Sequence, residues 1–236
     1  MATLTVLTSV LGAPEWTSYP GGGATKCSHG EPFTFFVRPG DPSRLVVELE
    51  GGGCCFSAVT CALPEYLPSI GPVELKRLEL EARGGIGDHT NPSNPVANWT
   101  HLFIPYCTGD AHNGNRTASY GVHHFGRVNA HAALEWAYAN MPQPKQVLTT
   151  GTSAGAVGSY ILAPHIMDHY TDTKHYHFAD SYAPMFGQKG YNDGLRNWDL
   201  MGAYSRHIPL APALVAPWRP LVNAVRRGYS TTACFL

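Results

Sequence analysis

The sequence predicts an α/β fold, a mostly parallel sheet flanked by helices, and three observations carry that prediction. Short apolar, β-branched runs at 45–49, 101–106, 145–150 and 177–181 read as strands. Between two of them, Phe125, Val128, Ala132, Trp136 and Ala139 recur at helical spacing within 122–141. Strand, helix, strand in that order implies a right-handed crossover. The third observation is a second strand-to-helix step around Gly151-Thr152-Ser153-Ala154-Gly155, with residues 156–163 as its helix.

Taken in order, residues 1–13 have the apolar middle and small-residue end of a signal peptide but no Lys or Arg, so 1–26 is expected to be signal-like or irregular. Pro20-Gly21-Gly22-Gly23 is a loop. Residues 32–37 form a first strand, 38–42 turn, and 45–49 form a second strand, the pair reading as an antiparallel hairpin. A helical stretch is expected around 73–82 and a long loop over 87–95. The strand at 101–106 ends in Cys107-Thr108-Gly109-Asp110-Ala111-His112-Asn113-Gly114. Ligands gather at the carboxyl ends of strands in open α/β sheets, which makes Asp110 and His112 candidates for the pocket rim, with polar turn residues as the alternative. His165 and His169 fall one helical turn apart, and without an acidic partner they read as a solvated helix face. Residues 187–203 look loop-like, 208–220 is punctuated by proline, and 229–236 ends the chain without an element, so 208–236 is expected to be an irregular tail.

At 236 residues, 44% of them hydrophobic, the chain is a single domain with a substantial core. Sixteen basic and 17 acidic residues leave a net charge of −1 with no long run of either sign. Neither nucleic acid nor an anionic membrane surface is indicated as a partner. No stretch approaches a membrane span; the most apolar one, 208–222, holds four prolines and Arg219. Six cysteines, at 27, 54, 55, 61, 107 and 234, favour an extracellular or secretory setting with disulfides. Asn98-Trp99-Thr100 and Asn115-Arg116-Thr117 are glycosylation sequons in that setting.

Two motifs carry chemistry. A serine on a sharp strand-to-helix turn is forced into a strained backbone conformation, so the residues two places away must be small, and Gly151 and Gly155 are. The turn points Ser153 at a helix N-terminus, where backbone N–H groups can hold a developing oxyanion. The second motif is Glu50-Gly51-Gly52-Gly53-Cys54-Cys55 at the end of a strand, where successive glycines let backbone N–H groups approach a ligand. Cys55 and Cys61 are close enough in sequence to close a small loop that braces this turn; redox-active or metal-ligating vicinal Cys54 and Cys55 are the alternatives. Twelve histidines raise the possibility of a metal hydrolase, but no matching ligand spacing accompanies them, and neither metal nor cofactor is expected.

With Glu50-Gly51-Gly52-Gly53-Cys54-Cys55, Pro105-Tyr106-Cys107-Thr108-Gly109-Asp110-Ala111-His112, Gly126-Arg127 and Gly151-Thr152-Ser153-Ala154-Gly155 in order, the chain resembles the pectinacetylesterase and Notum family over roughly 27–185. The resemblance implies an α/β-hydrolase-like fold and a serine esterase, with Ser153 as nucleophile and backbone N–H groups of Gly53, Cys54 and Ala154 as oxyanion donors. The family usually has Trp where Cys54 stands and commonly Cys at Thr152. The Cys55 and Cys61 spacing matches a family disulfide, while Cys27, Cys107 and Cys234 are left without an assigned pairing. Family members carry their acid and histidine in a C-terminal portion that this sequence does not contain, so the fold is expected to be incomplete at that end. Ser, acid, His is the fold's chain order, and Asp180 with His207 is the pairing that fits it here.

The expected function is a serine carboxylesterase removing acetyl or other acyl groups from a polysaccharide or protein through an acyl-enzyme on Ser153. The alternative is an inactive or truncated family member that retains the cleft alone.

Overall fold

In the computed structural model, residues 15–63, 66–71, 85–181, 188–203 and 231–234 are described. The strands are β1 (Thr17–Pro20), β2 (Thr34–Arg38), β3 (Asp41–Leu49), β4 (Trp99–Ile104), β5 (Arg116–Thr117), β6 (His123–His124), β7 (Gln146–Thr152), β8 (Lys174–Asp180) and β9 (Thr231–Cys234). The helices are α1 (Ala58–Cys61), α2 (Gly126–Asn140), α3 (Ala154–His169) and α4 (Gln188–Trp198). Seven strands make one sheet in the order β1-β2-β4-β3-β7-β8-β9, and β5 and β6 form a separate ribbon. From β4 to β9 every neighbour is parallel, whereas β1 and β2 run antiparallel at one edge.

The expected hairpin between the first two long strands does not form. β4 lies between β2 and β3, antiparallel to one and parallel to the other. All six residues of β4 are buried, which suits a strand in the interior of the sheet. The link between β2 and β3 therefore passes over the start of β4, and Gly40 makes the passage possible: a Cβ there would collide with the Trp99 backbone. Two other segments gain structure that sequence patterning did not indicate. Thr17–Pro20, within the stretch expected to be irregular, pairs with β2, and Thr231–Cys234 pairs with β8, from His177 opposite Thr231 to Asp180 opposite Cys234. The helix expected around 73–82 lies outside the described residues.

Alternation along β3 divides the core. Leu45, Val47 and Leu49 join Leu102, Ile104 and Val147 beneath α2 and α3, meeting Ala130, Ala133, Leu134, Ala137, Leu162 and Ile166. The buried face of α2 is thus set by alanines and Leu134, not by the aromatic positions that gave the helical period. Small side chains let the helix approach the sheet, while Trp136 lies to the side against Tyr19 and Phe35. On the opposite face Val46 and Leu148 pack with Trp99 and Val96.

Residues 188–198, expected to be loop, form α4. Its glycines and polar residues hid the helix, and tertiary contacts hold it: Trp198 is buried, stacks on Phe56 with ring centroids 4.7 Å apart, and donates Nε1–H to the Cys55 carbonyl at 2.9 Å. Disulfides join Cys27 to Cys107 and Cys55 to Cys61, with Cα separations of 5.1 and 4.8 Å.

Candidate active site

β7 runs into the turn at Ser153 and α3 leaves it. Ser153 sits at φ 54°, ψ −114°, a left-handed conformation that an L-residue adopts only when its surroundings impose it, and it is exposed. The small-residue requirement is explicit. A Cβ on Gly151 would collide with the Gly155 carbonyl, and one on Gly155 would collide with the Leu49 carbonyl. The serine's own backbone N–H donates to the Asp180 carbonyl at 2.9 Å, so it is taken up in holding the turn. Ala154 opens α3, and the first N–H groups of a helix lack intrahelical partners.

β3 is the neighbour of β7, with Leu49 opposite Gly151, so the glycine turn after β3 emerges beside the serine. A Cβ on Gly51 would lie 2.6 Å from the Thr152 carbonyl oxygen and 3.6 Å from Ser153 Cβ. Gly52 has φ 154°, and a Cβ there would meet the Tyr106 ring. Only glycines bring this backbone so close to Ser153. The turn is fixed from behind: the Glu50 N–H donates to the Ile104 carbonyl at 3.0 Å, the Cys55 N–H to Gly109 at 2.8 Å, and the Tyr106 N–H to Glu50 Oε2 at 2.8 Å.

Asp110 and His112 are not at the pocket rim. Both are fully buried, at 0% and 1% exposure, and neither lines the two clefts beside the glycine turn. Their loop has folded inward around the carboxylate: Asp110 accepts from Thr108 Oγ1 at 2.7 Å and from the backbone N–H groups of His112, Gly114 and Gly126 at 3.1, 3.1 and 2.7 Å. A carboxylate with four donors is satisfied without solvent. Burial drives the His112 pKa down to about 4, partly opposed by the Asp110 charge, so the ring is neutral at pH 7.

Asp180 ends β8 opposite Thr152, its carbonyl on the elbow and its Oδ1 accepting from Ser181 Oγ at 3.0 Å. His207 lies outside the described residues. Among the described residues no histidine nitrogen bonds to Ser153 Oγ. His165 bonds to the Ala203 carbonyl and His169 stacks on Tyr138, so the pair serves packing. One trio of potential metal ligands occurs among the described residues, Cys55, Cys61 and His124, and its two sulfurs are bonded to each other.

Two clefts flank the glycine turn, and both are lined by Glu50 and Gly51. One, of about 960 Å³, takes in Glu48, His101, Thr152 and Asp180. The other, of about 700 Å³, takes in His29, Tyr66, Leu67 and Tyr106. Three participants escaped sequence reasoning. Glu50 and Tyr106 stood in motifs whose other members drew attention, and Trp198 closes a polar, glycine-bearing stretch with no pattern of its own.

A strained serine between a parallel strand and a helix, facing a glycine turn from the adjacent strand of a mostly parallel sheet, defines an α/β-hydrolase-type fold. The pectinacetylesterase family model matches residues 21–198, and the chain belongs to that family. It is 29% identical over 129 residues to pectin acetylesterase 5 of Arabidopsis thaliana, covering 52% of this chain and 30% of that protein. It is also 29% identical over 146 residues to palmitoleoyl-protein carboxylesterase notum2 of Xenopus laevis, covering 57% and 29%. The chain therefore spans about 30% of the length of these curated relatives. Two crystal forms of the Wnt deacylase Notum from Drosophila share the fold, with TM-scores of 0.61 and 0.63, at 15% and 17% identity. Each superposition covers 94% of this chain and 70% of the Notum chain.

Proposed function

We propose that the protein is a serine carboxylesterase that removes acetyl or other acyl groups from a polysaccharide or another acylated substrate. The observation that carries this reading is Ser153 itself: exposed, at φ 54° and ψ −114°, beside a glycine turn that leaves no room for a Cβ. In this mechanism Ser153 Oγ attacks the ester carbonyl and gives up its proton. The carbonyl oxygen, now negative, sits against the backbone N–H groups of Gly53, Cys54 and Ala154. Collapse expels the alcohol, leaving an acyl group on Ser153, and water then attacks that acyl-enzyme to release the acid. The proton passes through a histidine, for which His207 oriented by Asp180 is the pairing we propose. Membership of the pectinacetylesterase family supports ester hydrolysis. The names of two relatives, a pectin acetylesterase and a palmitoleoyl-protein carboxylesterase, bracket the acyl groups to be tried. Two disulfides support an extracellular or secretory location, and no helix among the described residues is long and apolar enough to cross a membrane.

The alternative reading is a family member that keeps the cleft without turnover. Hydrolysis of p-nitrophenyl acetate separates the two. The esterase reading expects turnover that falls to background in Ser153→Ala and drops at least about a hundredfold in His207→Ala. Turnover equal in wild type and Ser153→Ala contradicts it.

A further inference from the structure

We propose that His112 is a positioning residue that sets the gap between the two halves of the oxyanion hole. The inference rests on the esterase reading for its catalytic consequence, but its structural part stands on His112 alone.

His112 lies between the two elements proposed to carry the donors, its ring toward one and its Cβ toward the other. On one side its Nε2 lies 2.9 Å from the carbonyl oxygen of Glu50, the residue that opens the glycine turn. Since that oxygen only accepts and the neutral ring has one proton, the proton is on Nε2, and His112 donates. On the other side stands α3. A Cβ on Gly158 would come within 2.9 Å of His112 Cβ, and Gly158 lies one helical turn beyond Ala154 on the same face of the helix. His112 therefore touches the glycine turn through a hydrogen bond and the elbow helix through van der Waals contact.

The wedge is itself held rigidly. Ala111 and His112 adopt φ of 51° and 61°, which the loop tolerates because Asp110 Oδ1 accepts the His112 N–H and Tyr106 Oη accepts the Ala111 N–H at 2.7 Å. Gly126 presses against His112 Cα at a hypothetical Cβ distance of 2.7 Å, and the Tyr106 ring centroid lies 4.9 Å from that of His112. His112 itself is buried and lines neither of the two clefts beside the glycine turn. Its output is the position of the Glu50 carbonyl, and hence the direction of the following amides.

Two variants separate donation from bulk. His112→Leu keeps the volume and removes the donor, whereas His112→Gln returns an N–H at the reach of Nε2. Two readouts are taken: p-nitrophenyl acetate kinetics, and amide hydrogen exchange of the peptide covering 50–55, whose Glu50 and Cys55 N–H groups are bonded in the wild type. The expected result for His112→Leu is a kcat lower by roughly ten- to a hundredfold with KM within about twofold, together with at least tenfold faster exchange in 50–55. β7 peptides exchange as in wild type, and His112→Gln recovers most of both effects. Wild-type kcat and wild-type exchange in His112→Leu overturn the proposal. If the wild type shows no turnover that depends on Ser153, the esterase reading fails by itself. Exchange then decides on the wedge: faster in Leu and restored in Gln supports it, and no change in either overturns it.

Discussion

The two faces of the sheet are built from the same strands and do opposite work. Under α2 and α3, Leu45, Val47 and Leu49 meet alanines, Leu134, Leu162 and Ile166, and the face is dry. One residue out of phase, Glu48 shares the other face with His101, whose Nε2 lies 2.7 Å from the Glu48 carboxylate. There His101 Nδ1 meets His89 Nε2 at 3.3 Å, the Trp16 ring lies edge-on to both histidines, and the 960 Å³ cleft opens above them. The covered face supplies rigidity, because the elbow, the glycine turn and the His112 wedge are all tied to β3, β7 and α3. The open face supplies space and polar groups. Because side chains alternate along a strand, a packed face and an open polar face can be drawn from the same strands without competing for volume.

That division predicts unequal sensitivity. Leu134→Ala, in the middle of the covered face, is expected to lose about 3–4 kcal/mol of unfolding free energy in urea titration, because the helix on a sheet cannot collapse into the cavity. A loss below about 1 kcal/mol would mean that the face is loosely packed. Acid should act through the same side. His177 of β8 is buried against α3, its Nε2 2.9 Å from Ser159 Oγ, and burial lowers its pKa to about 4. The unfolded chain binds this proton near pH 6.5 and the folded one does not, so the stability the neutral ring contributes is present above about 6.5 and is lost as pH falls toward 4. The expected loss attributable to His177 is about 3 kcal/mol over that window, and His177→Gln should flatten the stability–pH curve correspondingly. On the open face Glu48→Gln should cost only about 1 kcal/mol, since Glu48 keeps partial access to water while its partner is buried. A larger loss there than for Leu134→Ala would invert the comparison.

Much of this arrangement was legible in the sequence, and the reasons are local. Gly151 and Gly155 betray the elbow because no other residue clears the Gly155 and Leu49 carbonyls. The glycine turn announces itself in the same way. What stayed hidden depends on distant partners. The insertion of β4 between β2 and β3 is invisible because adjacent strands with a short turn look like a hairpin whether or not a third strand enters. Asp110 and His112 read as pocket residues because they are polar, end a strand and sit among glycines. That they fold inward follows from four donors converging on one carboxylate, two of them from the Gly114 and Gly126 backbone. The helix at Gln188–Trp198 is stabilised by Trp198 and Asn197 gripping the carbonyls of Cys55 and Phe56, contacts separated by more than a hundred residues. β9 needed β8 as its template.

The central claim is that Ser153 is an activated, accessible nucleophile, and covalent labelling with a fluorophosphonate tests it most directly. Intact mass followed by peptide mapping should show one adduct per chain, on the peptide that contains Ser153, and none in Ser153→Ala. Absence of an adduct on folded protein, or an adduct on another serine such as Ser159 beside His177, would contradict the account.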